Sequence, residues 1–148
     1  MTLYDQVRWG DEIDSACNAM QTISEQDGLR TFRGGGWTRK EILGHLIDSA
    51  LNNHQRFVRA ALEGRYEGPT YAQTDWVNMH GYASMPWAQL VEHWALQNRL
   101  LGEVVMRIPE GRIEAPCRVG SNDPVTLRFL IEDYLQHLHH HLAQILSA

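Results

Sequence analysis

The sequence predicts an all-α fold, a four-helix bundle with a long loop between helices two and three. Three observations carry that expectation. Four stretches of roughly 20 residues repeat apolar side chains at three- and four-residue steps, which is the helical period. Clusters of glycine and proline separate them. No stretch alternates like a strand over a useful length, since Arg112–Val119 is short and broken by Pro116. The chain has 148 residues, which suits one domain over 1–148.

The first helix is expected from about Thr2 to Ile23, with Leu3, Val7, Gly10, Ile13, Cys17 and Met20 on one stripe. Gly28 and Gly34-Gly35-Gly36 then mark a loop, because glycine runs favour no regular element. Helix two opens on Thr38-Arg39-Lys40-Glu41. In this capping box the Thr38 hydroxyl and Glu41 carboxylate satisfy amides of the first turn. It runs to about Leu62, with Ile42, Leu43, Leu46, Ile47, Ala50 and Phe57 over a broad buried arc and Gly64 as its stop. Residues 63–86 form a connection long enough to be functional, with room for a short helix around Asp75–His80. Ser84 and Pro86 suit the start of helix three. It carries Trp87, Leu90, Val91, Trp94, Leu101, Val105 and Ile108 and ends at Pro109. Helix four spans about Thr126 to Ser147.

Composition narrows the function. Hydrophobic residues make up 43% and charged residues 21%, as in globular proteins. A net charge of −5 with only 13 Lys and Arg disfavours nucleic acid as a partner, which demands concentrated positive charge. No run approaches the ~20 apolar residues of a membrane span. The first fourteen residues carry four acids and lack the basic start and apolar core of a signal peptide. The cytoplasm is therefore the expected compartment. Cys17 and Cys117 make neither a disulfide framework nor a four-thiolate zinc site. They read as small apolar fillers or surface thiols.

Histidine is the unusual residue. The chain has eight, and four of them lie in His137-Leu138-His139-His140-His141. Residues four apart on a helix differ by only ~40°, so His137 and His141 can face one cation. The apolar residues Leu127, Leu130, Tyr134, Leu138 and Ile145 place His141 inside the core stripe and His137 at its edge. His139 and His140 point elsewhere. Spacing alone also allows a polar helix face, and two imidazoles rarely suffice for tight binding.

A third ligand must come from another element. His45 sits where the buried arc of helix two meets a polar face with Asp48, Asn52 and Arg56, an edge position that suits a site opening into a cleft. His80 and His93 compete with it. His54 lies about 180° round from His45. Taken alone, His45 reads more readily as an ordinary hydrogen-bonded histidine than as a ligand. Asn52 and Arg56 share its face, either to meet an anionic substrate or to be solvated. Asn53 and Asn98 interrupt apolar stripes and must find hydrogen-bond partners. Asp48, Asp75, Glu132 and Asp133 suit solvated faces or caps. Tyr71, Trp76 and Tyr82 either roof the cleft or pack the loop onto the bundle. There is no His-Glu-x-x-His, Gly-x-Ser-x-Gly or phosphate-binding glycine loop, and no Glu-x-x-His of the di-iron bundles.

Two segments are familiar together. Gly36-Trp37-Thr38-Arg39-Lys40-Glu41-Ile42-Leu43-Gly44-His45-Leu46-Ile47-Asp48-Ser49, continuing to Asn53 and Arg56-Phe57, resembles the second helix of the DinB/YfiT-like family. Tyr134 and His137-Leu138-His139-His140-His141-Leu142-Ala143-Gln144-Ile145 is similar to that family's last helix, and Tyr71 through Asp75-Trp76 to its loop. The matching segments cover about a third of the chain, and the helix layout matches throughout. Leu142-Ala143 departs from the Arg-Gly of many members.

The resemblance implies a four-helix bundle holding one divalent metal ion through His45, His137 and His141, with zinc, nickel or iron the expected identities. It implies dimerisation and a small-molecule substrate. Two chemistries then follow for a centre with three neutral ligands. In one, a low-molecular-weight thiol binds as thiolate and is transferred to an electrophile. In the other, metal hydroxide attacks a scissile bond. A non-catalytic metal-binding bundle is the third possibility. Asn52 and Gln144 are the candidates to support the ligands or the substrate.

Overall fold

A computed structural model of the chain describes residues 6–31 and 36–147. Thr2 and Leu3 at the expected start of helix one, and Gly34 and Gly35 of the glycine loop, lie outside the described residues, as does the side chain of Val7. Four long helices build the bundle: α1 (Gln6–Gln21), α3 (Arg39–Glu63), α5 (Trp87–Met106) and α6 (Leu127–Leu146). Two shorter ones, α2 (Glu25–Gly28) and α4 (Gln73–His80), lie in the connections. α3 packs on both α5 and α6, and α1 packs chiefly on α5. No described helix is long and apolar enough to cross a membrane.

Helix α3 forms where its caps require. The Thr38 side chain accepts from Glu41 N, and Thr38 N donates to Glu41 Oε1 at 3.1 Å. At the other end Gly64 adopts φ 78°, a left-handed conformation that glycine takes without a Cβ penalty, and its N–H reaches Ala60 O at 2.9 Å. The expected apolar arc of α3 is buried, Leu43, Ala50 and Phe57 completely. Asn98 of α5 is the polar bridge of the core. Its Oδ1 accepts from Tyr134 on α6, its backbone oxygen accepts from Trp9 Nε1 on α1 at 2.9 Å, and its Nδ2 donates to Trp94 O at 2.9 Å. Asn53 instead stays within its own helix, donating to Ser49 O at 2.9 Å. Both cysteines are buried fillers, and burial pushes the Cys117 thiol up to about 11.

Three expectations need correction. The segment containing Pro116 does form a strand, β2 (Pro116–Val119), paired in parallel with β1 (Tyr66–Gly68) and antiparallel with β3 (Val125–Thr126). Strands of two to four residues drawn from separate connections show no period to read. Pro116 opens β2, a position where proline is tolerated. Ser84 does not cap α5. Pro86 holds the cap position, and a tertiary cap comes from α2, where Glu25 Oε2 accepts from Trp87 N at 2.7 Å. Glu25 Oε1 pairs with the buried Lys40, which, with the Trp87 amide, holds the carboxyl below the usual range. Finally, α5 stops at Met106, so Ile108 packs from beyond the helix.

Candidate metal centre

His45 lies near the start of α3, and His137 and His141 lie one turn apart near the end of α6. The two helix ends are clamped by Arg39 in the first turn of α3. Its Nε donates to Ile145 O at 2.9 Å and its Nη2 to Ser147 O at 2.7 Å. These are carbonyls that the end of α6 leaves without helical partners, where a cation is also favoured. The clamp fixes the register that sets His45 opposite His141.

The three imidazoles converge. Ring centroids are 4.8 Å apart for His45 and His137, 5.0 Å for His45 and His141, and 4.5 Å for His137 and His141. One nitrogen from each falls within 4.8 Å of the others. His45 Nε2 and His137 Nε2 are 2.9 Å apart, close to the ~3 Å edge that two ~2.1 Å bonds at a right angle would make. His141 Nδ1 lies 2.7 Å from Gln144 Oε1, which accepts its proton and leaves Nε2 as the free nitrogen. Trp37 lies against His45 with ring centroids 5.0 Å apart.

The electrostatics suit a cation. Burial, with the neighbouring imidazoles second, lowers His45 to about 4. Burial and then His141 lower His137 to about 4, against an opposing pull from Asp133. His141 is lowered too, chiefly by burial. All three imidazoles are neutral at neutral pH, and among the described residues no carboxylate joins the group. These residues therefore fit a divalent ion with a preference for nitrogen donors.

The other candidates separate. His45 is 1% exposed, deeper than its edge position suggested, with the Trp37, His137 and His141 rings packed against it. The site opens instead beside His137 and His141, which are half-buried. Gln144 meets His141. Asn52, two turns from His45, donates to its own helix at Asp48 O, 2.9 Å away. His139 pairs with Glu12 of α1 at 3.1 Å, and His140 is exposed beside His141. His54 lies half-buried on another face of α3. His93 and the outer edge of His80 line a separate cavity of about 280 Å³ with Ile47, Tyr82 and Gln89.

Asp48 was expected on a solvated face and is instead fully buried. Its Oδ1 accepts from the Tyr82 hydroxyl at 2.6 Å and lies 2.9 Å from His80 Nδ1, while Oδ2 has no partner among the described residues. Burial raises its pKa against the pull of both neighbours. Gly44 admits this arrangement, since a Cβ there would stand 2.0 Å from the Tyr82 ring. That glycine beside His45 was the available signal. Arg39, whose partners are backbone carbonyls, had none.

Comparison with known proteins agrees with this geometry. A profile of the DinB superfamily matches residues 12–145. Proteins named "putative metal-dependent hydrolase" are similar along most of their length. One from Oceanobacillus iheyensis is 21% identical, covering 98% of this chain and 86% of that protein. One from Bacillus mycoides is 24% identical, covering 95% and 83%. Among solved structures, YfiT from Bacillus subtilis, described as a probable metal-dependent hydrolase with an unusual four-helix bundle topology, superposes with a TM-score of 0.81. That match has 17% identity and covers 95% of this chain and 83% of YfiT. The chain belongs to the DinB superfamily.

Proposed function

We propose that the protein is a divalent-metal-dependent enzyme in which His45, His137 and His141 hold zinc, nickel or iron, and that it transfers a low-molecular-weight thiol to an electrophile. The observation that carries this reading is the donor set, three neutral imidazoles with no carboxylate among them. An ion held by neutral ligands keeps its full charge and lowers the pKa of a thiol or water placed beside it. The chain's part is to hold the imidazoles unprotonated by burial, to fix the His141 tautomer through Gln144, and to fix helix register through Arg39.

Asp48 favours a second reading, hydrolysis, consistent with the naming of the relatives. A buried carboxyl three residues from His45, with a raised pKa and one oxygen unpartnered, is equipped to hand a proton to a leaving group. Metal-loaded protein supplied with a small thiol and an aryl halide separates the readings. Thiol-dependent turnover, lost in His141→Ala with helix content unchanged, is the expected result. Turnover of an ester without thiol, lost in Asp48→Asn, would assign hydrolysis instead. Bound metal with neither activity would leave storage or bracing. Equal metal content in wild type and His45→Ala, measured without a histidine tag, would remove His45 from the set.

A further inference from the structure

His45, Ser49, Asn52 and Arg56 follow one another at steps of four, three and four residues. At ~100° per residue they fall within about 60° of each other, one polar stripe along α3. The stripe is covered. Ser49 is 4% exposed and Arg56 9%. Burial of a guanidinium normally requires a carboxylate or a full set of acceptors. Arg56 has neither among the described residues. No acid lies within ion-pair distance, and its hydrogen bond is one contact of Nη2 with Pro69 O at 3.5 Å, the outer limit for such a bond. Its guanidinium also lies 6.0 Å from the centre of the Tyr71 ring.

Tyr71 is the ring beside the guanidinium, and burial raises its hydroxyl's pKa, with Arg56, Asp48 and Ser49 the other groups acting on it. Helical side chains lean toward the N-terminus of their helix. Arg56 therefore leans toward the three histidines. The Cα atoms of residues 45 and 56 are about 16 Å apart along the axis, and because His45 leans the same way, the longer Arg56 side chain closes only part of that span, to roughly 12 Å.

We infer that Arg56 is the anchor for a carboxylate on the substrate, whose reacting end lies at His45, His137 and His141 roughly 12 Å away. The inference rests on the three-histidine centre being the reacting end. The ligand class is a short, linear small molecule with an acid at one terminus and the metal-seeking group at the other. Ser49 and the free Oδ1 of Asn52 lie between for its middle. A guanidinium matches a carboxylate through two parallel hydrogen bonds, and a charged pair in so dry a place is a strong contact.

The test uses cobalt-loaded protein and ω-mercaptocarboxylates with about two to eight methylenes, each paired with the ω-mercapto alcohol of equal length. Calorimetry reads affinity, and the thiolate–cobalt charge-transfer band reads arrival at the centre. One chain length should bind about 10-fold or more tightly as the acid than as the alcohol. In Arg56→Gln the two should converge on the alcohol's affinity, and the band given by the alcohol should remain. Equal binding of acid and alcohol at every length overturns the inference, as does a preference that survives in Arg56→Gln. Should that variant fail to fold, Arg56→Lys serves, because losing the paired geometry must weaken the preference several-fold and an unchanged preference overturns the anchor. A preference without the band defeats thiolate binding and keeps Arg56, while the band without a preference does the reverse.

Discussion

Two buried polar groups of this molecule are built on opposite plans. Asn98 itself uses both of its side-chain atoms, through Tyr134 and Trp94, and its carbonyl through Trp9, although Trp94 Nε1 and Gln97 Oε1 beside it are buried without partners among the described residues. Along the polar face of α3 the bonding is left incomplete. Among the described residues His45 Nδ1 and Asp48 Oδ2 are buried without partners, and Arg56 makes one contact at the limit of a hydrogen bond. An unpaired buried polar atom costs about 1–3 kcal/mol, so two such atoms and a guanidinium on one face are expensive to keep. A closed network holds helices in register. An open one keeps bonding capacity for something that arrives later.

The largest effect that separates the two plans belongs to Asn98. Asn98→Ala leaves the buried Tyr134 hydroxyl without an acceptor and opens a small cavity between α5 and α6, and the loss should be about 3 kcal/mol. Chemical denaturation measures it. Metal affinity of the folded variant should stay within about twofold of wild type, since removing a group distant from the centre leaves its energetics independent. A variant that lost metal affinity as severely as stability would join the two groups into one network and end the contrast.

The contrast also explains what the sequence could disclose. Helix extents followed from apolar period and from Thr38, Glu41 and Gly64, because those signals are local. His137 and His141 were visible for the same reason, four residues apart on one helix. His45 needed family resemblance, since nothing within α3 says which histidine meets a helix about 90 residues downstream. The burial of Asp48 and Arg56 could not be read at all. It depends on how residues 69–82 fold over α3, and that path is set by Tyr82 against Gly44 and by a sheet whose strands come from two different connections. A helical wheel shows such residues as a polar face and cannot show the cover.

Acid should expose the cost of the open face next. His45 and His137 bind a proton near pH 4 in the fold and near 6.5 in the unfolded chain. Between those values the unfolded chain takes up the extra protons, so metal-free stability is intact above about pH 6.5 and falls as the pH drops toward 4. At ~1.4 kcal/mol per unit, His45 alone accounts for about 2–3 kcal/mol across that window. Asp48 acts with the opposite sign. Its raised pKa means that the fold accepts a proton first, which returns some stability at the acid end. Urea midpoints of the metal-free protein at several pH values test this. His45→Gln should flatten the slope, and Asn98→Ala should keep it. An equal slope in His45→Gln and wild type would show that burial of this imidazole is not what acid reverses.

The smallest effect concerns a hydrogen bond on α6, beside the histidines that meet the open face. Gln144 Oε1 accepts from His141 Nδ1 at 2.7 Å, which leaves Nε2 of that ring bare and aimed at the other two. Groups that orient a metal-ligating histidine in this way are worth about 10–100-fold in affinity. An amide carries no charge to polarise the ring, so Gln144→Ala should fall near the lower end, about 10-fold, read by competition with a chromogenic chelator. Stability of the metal-free form should move by no more than ~0.5 kcal/mol, as for other half-buried positions on a helix surface. Gln144→Glu sharpens the point, because a carboxylate accepts the same proton and makes the imidazole a stronger donor. It should bind metal at least as tightly as wild type. If alanine and glutamate at 144 leave affinity alike and unchanged, the ring of His141 is held by packing between α3 and α6, and the hydrogen bond is incidental to the site.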